Sequence, residues 1–229
     1  MRFFSDAKLI ALISDQAMDF TPADFDAPLT ASQQEYLKKQ TGIDIDHVFW
    51  RKQVHGDEVL VAQGSSMASF GLPDADAVIT LQKNLPIAIR TADCVPVFLY
   101  DPTRPAIGLA HAGWKGTYQE IAYKTVQRMT QEFGCQPKNI QAVLGPSIQS
   151  CCYQVGEEFK QYFPQEMTQR EGKLYVDVAQ NNYRQLLKAG LSEANIVRSG
   201  ECTCCGSKYY SFRRDAQRAG RMISLMLLL

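Results

Sequence analysis

The alternation of apolar and polar positions breaks this chain into short segments, most of strand length, with a few longer stretches of helical period. Two apolar runs, Val95 to Tyr100 and Pro105 to Ala110, flank the turn-forming tetrapeptide Asp101-Pro102-Thr103-Arg104, a pattern that predicts a short-looped antiparallel hairpin. Pairing Tyr100 with Pro105 and continuing outward brings Cys94 opposite His111, with Cβ atoms about 4.5 to 5.5 Å apart on one face. Such a pair can bind one metal ion or serve as nucleophile and base. The hairpin leaves both open.

Before the hairpin, an edge strand is predicted at Leu9 to Ile13, followed by an acidic, proline-punctuated loop from Ser14 to Leu29. Ser32-Gln-Gln-Glu35 has capping-box spacing and opens a short helix that Gly42 ends. His47 to Val54 reads as a strand with Glu58 to Ala62 as its neighbour, Gly56 letting the backbone turn beside His55. A small-residue loop, Ser65 to Asp76, leads to strands at Ala77 to Leu81 and Ile87 to Arg90. Thr117 to Phe133 carries the clearest helical signature: a Thr117-x-x-Glu120 capping box, one apolar face of Tyr118, Ile121, Ala122, Thr125, Val126, Met129 and Phe133, and Gly134 as a stop. Downstream come a strand at Gln141 to Leu144, helices at Glu157 to Phe163 and Asp177 to Ala189, a strand at Ile196 to Arg198, an extended Tyr209 to Arg214 and a buried apolar strand over Met222 to Leu229. This mixture predicts an α+β fold, an α/β sandwich with a mixed sheet flanked by helices, as one domain over residues 1–229.

Composition narrows the function. With 24 basic and 24 acidic residues the formal charge is +0, which gives no support to a nucleic-acid or membrane-surface partner. Met1 to Ile13 holds Arg2, Asp6 and Lys8 and lacks the apolar core and cleavage site of a secretory signal, so the expectation is a cytoplasmic protein with its seven cysteines reduced. Three histidines, His47, His55 and His111, exclude any site that needs many imidazoles. The thiols Cys151, Cys152, Cys202, Cys204 and Cys205 lack the paired Cys-x-x-Cys knuckles of a structural zinc site, which disfavours a second zinc and leaves their individual roles open.

Six motifs occur in a fixed order: Gln53-Val54-His55-Gly56, Thr91-Ala92-Asp93-Cys94-Val95-Pro96, His111-Ala112-Gly113-Trp114-Lys115-Gly116, Gly145-Pro146-Ser147-Ile148 with Cys152-Tyr153-Gln154-Val155-Gly156, Cys202-Thr203, and Ser211-Phe212-Arg213-Arg214-Asp215. From about Ile43 onward the set resembles the YfiH-like family, the laccase-domain or "polyphenol oxidase" proteins, with a divergent segment at about residues 1–42. The resemblance implies a YfiH-like, cysteine-hydrolase-like fold. It also implies a zinc ion held by His55, Cys94 and His111, with a fourth position for water or substrate. The activity implied is phosphorolysis of purine nucleosides (adenosine, inosine, guanosine, methylthioadenosine) by phosphate, with adenosine deamination alongside. Within it His55, Cys94, His111 and Asp93 form the catalytic group, Asp93 as a proton carrier. Lys115 and the amides around Gly113 suit an anion, Arg213 and Arg214 add a planar clamp, and Trp114 and Gln53 complete the substrate side.

Two departures stand out. A Thr-Arg-x-Gly-Gly-x-Ser loop and a Ser-Leu-Asn-Leu segment common near the family's N-terminus are missing, the acidic stretch Ser14 to Leu29 standing there instead, and Asp215-Ala216-Gln217 replaces an Asp-Gly. Competing readings are a Cys94–His111 cysteine hydrolase without metal, an editing factor for cell-wall precursors, a nonenzymatic zinc-binding protein, and copper-based phenol oxidation. A multicopper centre needs about ten histidines, so only weak oxidation by copper at the same three residues survives.

Overall fold

The computed structural model describes residues 1, 3–23, 27–63 and 73–229. Its twelve strands are β1 (Leu9–Ile13), β2 (Val59–Val61), β3 (Ala77–Thr80), β4 (Ile87–Thr91), β5 (Val95–Asp101), β6 (Ala106–Ala112), β7 (Gln141–Leu144), β8 (Gln154–Val155), β9 (Met167–Arg170), β10 (Lys173–Val176), β11 (Ile196–Arg198) and β12 (Met222–Leu228). Its α-helices are α1 (Ala31–Thr41), α2 (Trp114–Tyr118), α3 (Ile121–Phe133), α4 (Val178–Lys188) and α5 (Phe212–Asp215). A six-stranded mixed sheet runs β11-β7-β5-β6-β3-β2, parallel at both ends, and a three-stranded antiparallel sheet runs β1-β12-β4. The expected mixed sheet flanked by helices is therefore present. No helix among the described residues is long and apolar enough to cross a membrane.

The layers follow from strand parity. Val95, Val97 and Leu99 of β5 pack against Val126 and Met129 of α3 and Leu186 of α4. The opposite face, Phe98 and Tyr100, meets Ile87, Ile89, Met222 and Met226 of the smaller sheet. That sheet's outer face, Ala88, Ile223, Leu225 and Leu227, is covered by Leu37 of α1 with Phe20 and Ile45. Thus β12 is buried on both faces, which explains why it reads as one continuous apolar run.

The central hairpin forms with a register two positions from the expected one. Asp101 pairs with Ala106 and Pro96 with His111. Asp101 Oδ1 accepts from the Thr103 amide, the Thr103 hydroxyl and the Arg104 amide, so the turn starts one residue later. Pro105 also has no N–H to offer a partner. A slip of one would have sent His111 to the other face; a shift of two keeps Cys94 and His111 on the same face as diagonal neighbours.

Other expectations are corrected by local chemistry. The helix expected over Thr117 to Phe133 is two helices, α2 and α3, broken at Glu120 (φ 66°). Thr117 does not cap it: its hydroxyl accepts from Asn182 of α4. The cap of α1 is Thr30 in a reciprocal box with Gln33, two residues ahead of Ser32 and Glu35, while Gly42 ends it as expected at φ 84°. His47 to Val54 is not a strand; only Phe49 bridges to Ile87, and the Gln53 amide takes a strand's place by bonding Arg90 N and O, both at 2.8 Å. Strand β2 pairs with β3 instead. Glu157–Gln161 is a 3-10 turn, and Tyr209 to Arg214 is not fully extended because Ser211 caps α5 by accepting from Arg214 N at 3.2 Å. The small sheet β8-β10-β9 was not signalled by periodicity. Most of the loop expected over Ser65 to Asp76 lies outside the described residues.

Candidate metal centre

Cys94 precedes β5, His111 lies near the end of β6, and His55 sits in the turn that packs across them, all at one mouth of the layer between the two sheets. Their ligand atoms lie within 4.8 Å of one another, and the rings of His55 and His111 meet edge to face at 4.8 Å. His55 itself, not Gly56, takes the left-handed conformation, φ 59°. For a non-glycine residue this costs of order 1–3 kcal/mol and must be held from outside.

The holder is Asp76, the residue before β3. Its buried carboxylate accepts from the backbone amides of Val54 (3.0 Å), His55 (3.0 Å) and Gly56 (2.8 Å), and pairs with His111 Nδ1 at 2.7 Å. Burial opposes ionisation of Asp76, but His111 and the amides of Gly56 and Val54 outweigh it and lower its pKa. One carboxylate thus fixes the His55 turn and fixes the His111 tautomer, with Nδ1–H donated and Nε2 left for a metal. Sequence reasoning missed Asp76 because an aspartate ahead of an apolar strand reads as loop punctuation.

Glycines close the geometry. A Cβ on Gly113 would stand 2.8 Å from His55 Cδ2 and 3.2 Å from Cys94 Sγ, and one on Gly116 would stand 2.5 Å from the Gly56 carbonyl. Burial disfavours the Cys94 thiolate, yet the His111 charge, with hydrogen bonds from His111 and His55, lowers its pKa to about 6. Burial likewise disfavours the His111 cation, and Cys94 with Asp76 raises its pKa to about 9. A thiolate beside an imidazolium is a metal pocket awaiting exchange of one proton for one cation. One sulfur and two imidazoles suit zinc or copper.

The three residues open on a cavity of about 910 Å³, within the range that holds a drug-sized ligand. Of the expected substrate residues, Gln53, Trp114 and Arg213 line it, and Lys115 and Arg214 do not. Lys115 is exposed, its ammonium 5.6 Å from the Trp114 ring. Arg214 is committed to carbonyls of Thr203, Gly206 and Tyr209 and to Asp215. Asp93 (φ 86°) faces the cavity, but its carboxylate already accepts from the Thr203 hydroxyl and the Arg213 amide, each at 2.6 Å. The unforeseen lining is cationic: Arg51, Lys52, Arg90 and Arg221 join Arg213, and among the described residues Asp93 is the acidic one that lines it. Arg90 stacks 3.5 Å over Trp50, its buried Nε has no partner among the described residues, and burial lowers its pKa to about 10. Arg51 with Lys52, Arg90 and Arg221 come from three separated segments outside the quoted motifs, so no motif announces them. Thr21, Pro22 and Ala23 show that the shortened acidic stretch itself supplies one wall.

Residues 18–229 match the family described as multi-copper polyphenol oxidoreductase laccase. The chain is 36% identical over 197 residues to a purine nucleoside phosphorylase of Deinococcus radiodurans, covering 84% of this chain and 74% of that protein. It is 32% identical over 234 residues to adenosine deaminase RL5 of an unknown prokaryotic organism, covering 95% and 85%. Among solved structures, Bacillus licheniformis hypothetical protein YfiH superposes with a TM-score of 0.82 at 28% identity, covering 96% of this chain and 93% of that one.

Proposed function

The chain belongs to the YfiH-like, laccase-domain family, and from that membership we propose that it is a zinc-dependent purine nucleoside phosphorylase acting as one domain. The observation that carries the reading is the cavity itself: among the described residues it is lined by a metal-ligand triad, five cationic residues and the carboxylate of Asp93. A neutral nucleoside alone does not call for that charge; a phosphate dianion does.

In the proposed reaction a phosphate oxygen forms a bond to C1′ of the ribose while the C1′–N9 bond breaks, its electron pair leaving with the purine, which takes up a proton. The products are the free base and ribose 1-phosphate. Arg90, Arg213 and Arg221 bind and orient phosphate, and loss of one such charge-assisted hydrogen bond costs about 1.5–3 kcal/mol. Trp114, Tyr153 and Phe212 offer flat walls to the purine. Asp93 acts by positioning, since both its oxygens are engaged where they stand. Held by His55, Cys94 and His111, zinc would supply Lewis acidity at an open fourth position. Three histidines cannot furnish the ligands of a multicopper centre, so the family's description does not transfer to the chemistry.

The test is incubation of metal-replete protein with inosine or adenosine and phosphate, reading free base and ribose 1-phosphate. Absence of turnover on every purine nucleoside overturns the reading. The likeness to a protein named adenosine deaminase supports a second activity, for which inosine formed from adenosine without phosphate is the signature.

A further inference from the structure

We propose that Cys151, Cys152, Cys202 and Cys205 form a second metal site, a closed tetrathiolate site for zinc that is structural rather than catalytic. The four sulfurs lie within 4.8 Å of one another, with Cys205 Sγ 3.3 Å from both Cys151 Sγ and Cys152 Sγ. In a tetrahedron with Zn–S of about 2.3 Å the sulfurs stand about 3.8 Å apart, so the two contacts at Cys205 open by about 0.5 Å and no other pair has to close by more than about 1 Å to take the ion. The spacing is half conventional: Cys202-Thr-Cys-Cys205 is a Cys-x-x-Cys knuckle, and the vicinal pair Cys151-Cys152 replaces the second one.

Two further observations point the same way. The Cys202 sulfur receives the backbone N–H of Gln149 at 3.5 Å, a donor that favours a thiolate. The strands of chain that carry the cysteines are already joined at the Ser147–Cys202 bridge, so the pocket is built before an ion arrives. Binding breaks four S–H bonds, forms four Zn–S bonds and releases four protons to solvent, with no change of oxidation state.

The site has a job to do. Thr203, inside the knuckle, donates its hydroxyl to Asp93, the neighbour of Cys94, and the Ile148 amide donates to the Asp93 carbonyl at 2.9 Å. Locking the knuckle to the Cys151 turn therefore locks the loop that presents Cys94. This proposal does not rest on the phosphorylase reading, because its readout is metal content and coordination.

The experiment is zinc quantification with X-ray absorption on protein purified under reducing conditions. The native chain is expected to hold two zinc ions averaging about 2.5 sulfurs each, from one sulfur in the first site and four in the second. Cys94→Ala is expected to keep one zinc with an all-sulfur shell at about 2.3 Å, and Cys205→Ser to lose that ion and melt at a lower temperature. A native chain with one zinc and one sulfur ligand overturns the proposal, whatever the variants do. So does nitrogen or oxygen in the shell of Cys94→Ala, or a disulfide among the four cysteines in place of the ion.

Discussion

Asp76→Asn tests the architecture of the first metal centre most directly. The substitution keeps size and shape and exchanges one carboxylate oxygen for an NH2. Oδ1 serves the His55 amide and His111 Nδ1; Oδ2 serves the amides of Val54 and Gly56. Whichever way the new amide sits, its NH2 faces two donors. Hydrogen bonds to a charged acceptor contribute about 1.5–3 kcal/mol each, so losing two costs about 3–6 kcal/mol. For a chain of this size each kcal/mol moves Tm by about 2–4 °C, giving a fall of at least about 6 °C in the metal-free protein. Carboxylates behind a metal-bound histidine typically account for about 10- to 100-fold in metal affinity, read here by chelator competition. A variant that melts within about 1 °C of the native protein and holds zinc within about twofold would refute the assignment of Asp76 as holder of both histidines.

Gly113→Ala should leave the fold intact while pushing His55 off the ligand position, since the added Cβ meets its ring at 2.8 Å; the measurement is zinc content beside a circular dichroism spectrum, and full zinc content would contradict the geometry. In metal-free protein the Cys94 pKa lies below its ordinary value, so its thiolate persists as pH falls and is lost only through about 6. Alkylation of Cys94, followed on its own peptide by mass spectrometry, should rise with a midpoint near 6, and His111→Gln should move that midpoint up; a native midpoint near 9 would be the wrong result. Arg90→Gln should raise KM for phosphate by about 10- to 100-fold with little change in KM for the nucleoside. Equal effects on both substrates would take Arg90 out of the anion pocket.

What the sequence discloses depends on how local the physics is. The strands Gln141–Leu144 and Ile196–Arg198 fall where their apolar runs begin and end. The union of Cys94 and His111 survives an error in register because side chains alternate with period two. Sites assembled by long-range closure are another matter. Asp76 acts through backbone amides that no motif records, and the cations at 51, 52, 90, 213 and 221 converge only after both sheets pack. The four-cysteine cluster is hidden in the sequence because its second pair is vicinal and more than forty residues from the knuckle; proximity comes from the Ser147–Cys202 bridge. At Glu120 a capping-box pattern is overruled because Asn182 claims the Thr117 hydroxyl.

The position of β12 has a consequence for biosynthesis. Leu9 of β1 pairs with Leu228, and β1 touches its sheet through β12 alone. At about 5–20 residues per second the ribosome leaves β1, five buried apolar residues in the finished protein, without its partner for about 10 to 40 s. During that interval it is a hydrophobic segment in search of an edge, the kind of nascent stretch that chaperones bind. The layer over the metal centre is thus among the last parts of the molecule to close.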